Sequence, residues 1–194
     1  FYDLDFVVSP ATLIPRPETE LLIDIALDTF DTNKKISALD LGTGSGIIAI
    51  TLSEKFPSWA ITATDQSNDA LKIAQINATN KIDFYCGDWF DALPKDKFDL
   101  IVSNPPYIED QDPHLHSLKY EPIEALISGK DGLDDIRKII SQSPEFLNQG
   151  GYLLLEHGYN QKKQILGLLE ESFVNIKAFK DLNKVDRAIL AQLR

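Results

Sequence analysis

Leu39-Asp40-Leu41-Gly42-Thr43-Gly44-Ser45-Gly46 reads as the end of a strand that runs into a glycine turn and opens a helix. Glycines let the backbone turn tightly and let a ligand approach its N–H groups, and the helix N-terminus behind them favours negative charge. A dinucleotide site uses a similar turn, but its fingerprint asks for a third glycine at position 47, where this chain has Ile47. Outward from this turn, runs rich in Val, Ile and Leu alternate with segments of helical period, the signature of βαβ units and a mostly parallel sheet. Strands are predicted over residues 36–41, 60–65, 82–86, 98–103, 151–157, 174–180 and 187–193, and helices over 46–55 and 67–79. A further helix over 18–30 has Pro17 as its opening residue and Leu21, Leu22, Ile25, Ala26 and Phe30 on one face. The segment 88–97 is too short for a helix and is broken by Pro94. Only residues 181–186 separate the last two strands, which predicts an antiparallel hairpin at the sheet edge. The expected fold is therefore α/β, with a seven-stranded, mostly parallel sheet ending in that hairpin.

The 194 residues suit one domain with one core, burying roughly 70% of the surface that the unfolded chain exposes. A net charge of −11 opposes non-specific attraction to a polyanion, because phosphate neutralisation by Lys and Arg drives most nucleic-acid affinity. Nucleic acid is thus disfavoured as a partner. The single cysteine, Cys86, has no partner for an internal disulfide and no ligand pattern around it, and it is expected to be a buried thiol on its strand. No apolar run approaches the ~18 residues of a membrane span, and Phe1-Tyr2-Asp3-Leu4-Asp5 lacks a basic signal-peptide start. A soluble protein of the reducing cytoplasm, with no membrane partner, is expected.

Three further segments carry chemistry. Asp65, at the end of the second strand, can accept from both ribose hydroxyls of a nucleoside lying across the strand ends. Its alternative role is helix capping, which Ser67 can supply equally well. In Gly87-Asp88-Trp89-Phe90, the acid can accept from an adenine amino group and an aromatic can cover the ring, although a tryptophan also serves as core. Directly after the strand 98–103 comes Asn104-Pro105-Pro106-Tyr107. Two successive prolines fix φ and remove two donors, so the carbonyls of Asn104 and Pro105 are free to accept. With the Asn104 side-chain oxygen they suit an –NH₂ group, and Tyr107 offers a flat wall over a planar amide or base. The following polar stretch to Pro122 holds four prolines, counting Pro105 and Pro106, and is long enough to be a functional loop.

With these residues placed, the chain resembles class I methyltransferases that act on nitrogen. Phe6-Val7-Val8-Ser9-Pro10, Leu13-Ile14-Pro15-Arg16-Pro17-Glu18-Thr19-Glu20, Asp88-Trp89-Phe90, Val102 to Asp110 and Glu156-His157-Gly158 narrow the resemblance. It is similar there to the HemK/PrmC family, the protein-(glutamine-N5) methyltransferases of peptide chain release factors. The resemblance implies a Rossmann-like fold, S-adenosylmethionine as methyl donor, and the glutamine of a release factor's Gly-Gly-Gln motif as acceptor. It implies Gly42, Thr43, Gly44, Ser45, Gly46, Asp65, Asp88, Trp89 and Asn104 as cofactor contacts. Asn104, Pro105 and Tyr107 become the catalytic loop, with Pro106 and Phe6 also at the substrate and Arg16 near its entrance. Glu156 and His157 are expected to give strand-end packing or indirect support.

Two features depart from the family pattern. The N-terminal helical domain that holds the release factor is expected to be missing, making residues 1–194 a catalytic domain, and the hairpin turn Leu182-Asn183-Lys184-Val185 lacks the family's glycine. The rival readings are an adenine-N6 methyltransferase of nucleic acid, using the same acceptors on a flipped base, and a non-catalytic partner subunit that binds the nucleoside. A nicotinamide dehydrogenase is weakened by Ile47.

Overall fold

In the computed structural model, which describes residues 1–194 apart from the side chain of His114, twelve regular elements follow one another. They are α1 (Glu20–Thr29), β1 (Ser37–Leu41), α2 (Ile47–Lys55), β2 (Ala60–Asp65), α3 (Asn68–Asn77), β3 (Asp83–Cys86), β4 (Phe98–Ser103), α4 (Asp134–Phe146), β5 (Leu147–Glu156), α5 (Lys162–Leu169), β6 (Phe173–Lys180) and β7 (Asp186–Leu193). The seven strands form one sheet in the order β3-β2-β1-β4-β5-β7-β6. β7 runs antiparallel between β5 and β6, and the other neighbours are parallel. The α/β sheet with its terminal hairpin is the one predicted from sequence.

Alternation along the central strands divides the core between the two sheet faces. Ala38, Leu100, Val102 and Leu154 pack under α1 and α2, whereas Leu39, Ile101, Leu153 and Leu155 pack under α4 and α5. On α4, Ile136, Ile139, Ile140 and Ser143 are buried at helical spacing. Each fully buried isoleucine there stabilises the fold by about 1.5–3 kcal/mol relative to exposure.

Several local expectations change. The first predicted helix is a 3-10 turn, Pro17–Thr19, followed by α1. Gly46 and Ser67 are N-terminal caps outside their helices, and the Ser67 hydroxyl accepts from the Ala70 N–H at 3.2 Å. α4 and α5 were not expected, although the α4 periodicity and its leading Asp134-Asp135 are in the sequence. β5 begins at Leu147, before the glycines, because its register with β4 shifts between Phe98 and Leu100. Cys86 is exposed, contrary to the buried thiol expected, because it ends β3 at the sheet edge, where one neighbour is missing.

Candidate active site

The strand order reverses between β1 and β4, and open α/β sheets bind ligands in the crevice outside the strand ends at such a point. Leu41 of β1 pairs with Ser103 of β4, so the glycine turn and the Asn104 loop leave the sheet side by side. The Ser103 hydroxyl donates to the Leu41 carbonyl at 2.7 Å and ties the two exits together. Above them opens a cavity of about 580 Å³, lined on one side by residues 42–45, Asp65, Asp88, Trp89, Asn104 and Pro106. Ala11 to Leu13, Pro15, Pro122, Glu124, Ala125 and Ile127 form its other wall.

Asp40 holds the glycine turn from below. Its Oδ2 accepts from Thr43 Oγ1 at 2.6 Å and from the Ala49 N–H at 3.1 Å, which secures the start of α2. Burial pushes the Asp40 carboxyl up to about 7, against these two hydrogen bonds. Gly46 has φ +88°, and a Cβ there would meet Ile50 Cδ1 at 2.7 Å and Ala74 Cβ at 3.2 Å. That glycine serves the packing of α2 on α3. A Cβ on Gly42 would come within 3.2 Å of the Trp89 ring, so this glycine lets the indole approach the turn.

Asp65 Oδ2 accepts from the Gly44 N–H at 2.9 Å and Oδ1 from the Ser67 N–H at 2.8 Å. Helix capping falls to Ser67, and the carboxylate keeps lone pairs for a ligand in the cavity it lines. Burial raises its pKa despite the two N–H donors. The 87–89 turn is docked on α4 twice, through Asp88 with Lys138 and through Trp89 Nε1, which donates to Asp135 Oδ1 at 3.1 Å.

Asn104 and Pro106 line the cavity, but Pro105 and Tyr107 are not among its lining residues. Pro105 is buried. Tyr107, expected as a flat wall, packs against the core below α4, and its hydroxyl donates to Glu156 Oε1 at 3.1 Å. A buried phenol needs a partner for its O–H, and the carboxylate provides one. Asn104 Nδ2 donates to Thr19 Oγ1 at 3.1 Å, which leaves Oδ1 as the free end of the amide. Phe6 also lies outside the lining, its ring edge-on to Phe1 at 6.3 Å, where burial against the first core outweighs a place at the entrance. His157 is fully buried, with Nδ1 2.8 Å from the Gly158 carbonyl, and burial lowers its pKa.

The far wall is tied together by Glu121. Its carboxylate accepts from the Arg16 guanidinium at 2.5 Å and from the Ile14 N–H at 3.0 Å, joining 11–16 to 121–127. The roles of Asp40, Thr19, Glu121 and Asp135 follow from contacts that only the folded chain makes.

Residues 19–121 match the family described as Methyltransferase small domain. A release factor glutamine methyltransferase from Coxiella burnetii is 45% identical over 197 aligned residues, covering 99% of this chain and 71% of that relative. The chain belongs to the release factor glutamine methyltransferase family. Two solved structures share its fold at low identity. A methyltransferase from Pyrococcus furiosus superimposes with a TM-score of 0.72 at 21% identity, over 97% of this chain and 88% of the other. The T. thermophilus 16S rRNA N2 G1207 methyltransferase, solved with AdoMet and guanosine, gives a TM-score of 0.71 at 19% identity, over 93% and 44%. For a release factor glutamine methyltransferase the cavity is apt. Asp65 and Trp89 both line it, and its volume suits a ligand of nucleoside size. No helix among the described residues is long and apolar enough to cross a membrane.

Proposed function

We propose that residues 1–194 form a catalytic domain that methylates the side-chain amide nitrogen of the glutamine in the Gly-Gly-Gln motif of cytoplasmic peptide chain release factors. The observation that carries this reading is the Asn104 amide at the cavity wall, held by Thr19 so that Oδ1 is free to accept. S-adenosylmethionine supplies an electrophilic methyl group; as the C–N bond forms the C–S bond breaks, and S-adenosylhomocysteine leaves.

An amide nitrogen is a poor nucleophile because its lone pair is delocalised into the carbonyl. In this reading Asn104 Oδ1, at the cavity wall, takes one N–H of the substrate amide and so aims the nitrogen at the methyl carbon. Charge is dispersed in the displacement, so positioning carries most of the acceleration, up to roughly 7–11 kcal/mol in favourable cases. No strong base is needed, since the alkylated amide loses its proton readily. Gly42, Gly44 and Asp65 hold the nucleoside, and Trp89 covers one side of it. The net charge of −11 favours a protein over a nucleic-acid substrate.

The test is incubation with a purified release factor and a methyl-labelled donor, followed by peptide mapping. Label on the glutamine side chain of Gly-Gly-Gln is expected. Label only on nucleic acid, or none on the factor, would overturn the proposal.

A further inference from the structure

Gln161 directly precedes α5, where the chain has just left β5, and is only 3% exposed. A buried amide costs stability unless its polar atoms are paired. Here Oε1 accepts from the Gly158 N–H at 2.8 Å, and Nε2 donates to the Tyr107 and Gly132 carbonyls, each at 3.0 Å, with the Asp131 carbonyl at 3.4 Å. An N–H facing the oxygen and carbonyls facing the nitrogen admit one orientation of the amide. A single side chain thus joins the last residue of the 104–107 loop, the approach to α4 and the exit of β5.

Two glycines make room for it. A Cβ on Gly132, which has φ +69°, would overlap the Tyr107 carbonyl oxygen and stand 2.7 Å from Gln161 Nε2. A Cβ on Gly158 would come within 3.0 Å of Gln161 Oε1. Both glycines therefore serve the same close approach of side chain to backbone.

The connection to the site runs through Tyr107. Pro105 and Pro106 fix φ between Asn104 and Tyr107, so the segment behaves as a stiff unit. Its near end is set by β4, where Ser103 donates to the Leu41 carbonyl. Its far end is set by Gln161 on the Tyr107 carbonyl and by Glu156 on the phenol. Asn104 lines the cavity, whereas Gln161 and Tyr107 do not.

We infer that Gln161 is a positioning residue for methyl transfer, which grips the Tyr107 carbonyl and so fixes the placement of the Asn104 amide against the methyl donor. The inference rests on Asn104 accepting a substrate N–H and extends that reading to a residue outside the cavity. The cofactor side is held separately, since Trp89 is tied to Asp135 and Asp135 to Ser128. Loss of the Gln161 grip therefore degrades the alignment of two bound reactants rather than the binding of either. A misplacement of about 1 Å is enough to cost on the order of 10²-fold in rate.

Gln161→Met keeps the length of the side chain and removes its donors and its acceptor. Well below its melting temperature and with both reactants saturating, it is expected to lower single-turnover methyl transfer to a release factor by at least about tenfold. The half-saturating concentrations of cofactor and factor are expected to stay within about threefold of the wild type. The Asn104 side-chain –NH₂ signals of the ¹⁵N-labelled protein, assigned by their loss in Asn104→Ala, are expected to shift or broaden in the same variant. Gly158→Ala crowds Gln161 Oε1 and meets Tyr107 only at an ordinary 3.5 Å. It is expected to slow transfer in the same way, and it decides the matter should Gln161→Met fail to fold. A lower melting temperature with a normal rate, unmoved Asn104 signals, or a rate loss matched by weaker binding of either reactant would overturn the inference. Absence of transfer by the wild type would count against the proposed function, whereas the Asn104 signals judge the positioning without any substrate.

Discussion

The Trp89 indole donates from Nε1 to Asp135 Oδ1 at 3.1 Å, so the ring beside Gly42 is held from the first turn of α4. Asp135 is fixed in turn by Ser128, whose hydroxyl donates to Oδ2 at 2.7 Å and accepts from the Asp135 N–H at 2.8 Å. Trp89 itself has φ +50°, a left-handed conformation that a bulky residue adopts only when its surroundings enforce it. Asp135→Ala is expected to release the indole and weaken S-adenosylmethionine binding by about tenfold, ~1.4 kcal/mol. Asp135→Asn, which keeps an acceptor, is expected to lose less. Calorimetric titration of both variants checks this, and unchanged affinity in Asp135→Ala would show that the indole is not part of the nucleoside site.

Asp65→Ala is expected to cost roughly 1.5–3 kcal/mol of cofactor affinity, the scale of hydrogen bonds to a charged group. The variant also loses acceptors for the Gly44 and Ser67 N–H groups, so its folding must be verified by circular dichroism. Equal affinity in the folded variant would reassign Asp65 to holding the glycine turn.

Glu121 joins the two segments of the far wall, with its carboxylate only 5% exposed. Glu121→Ala leaves Arg16 and the Ile14 N–H without this acceptor, a loss of about 1–3 kcal/mol to the local structure. Faster amide exchange in residues 11–16 and 121–127 is expected, with KM for the release factor rising more than the cofactor Kd. An unchanged exchange pattern would show that the wall is held by packing alone.

Asp40 makes stability depend on pH in a defined direction. Its folded pKa of about 7 lies above the ordinary 3.8, so between those values the folded state keeps a proton that the unfolded state has released. Stability from this group is fully present below about pH 4 and is lost as pH rises toward 7. Urea unfolding at about pH 5 and about pH 8 is expected to show the wild type losing a few kcal/mol relative to Asp40→Asn across that range. A pH-independent difference between the two proteins would contradict this.

The parts of the site legible in sequence are those where function and local structure coincide. The glycine turn, Asp65 and Asn104 sit at ends of strands whose apolar runs are plain, and parallel pairing then brings them together. Contacts between distant elements were not legible. Thr19 is 85 residues from Asn104 and Asp135 is 46 from Trp89, and no periodicity predicts which buried hydroxyl or acid will meet which amide or indole. Phe6 and Tyr107 show the opposite limit. The motif names them, but whether an aromatic ring faces a cavity or the core depends on partners such as Phe1 and Glu156 that only the folded chain assembles.

In the proposed reaction Asn104 presents the substrate nitrogen to the methyl donor. Asn104→Ala leaves Pro105 and Pro106 to shape the loop but removes one acceptor. Asn104→Asp keeps an acceptor and adds charge near the sulfonium, which can stabilise the ground state more than the charge-dispersed transition state. Single-turnover methyl transfer to a release factor at saturating cofactor is the most direct measurement. A fall of at least roughly 10²-fold is expected in Asn104→Ala with cofactor binding retained, and a near-normal rate in that folded variant would contradict the role of Asn104.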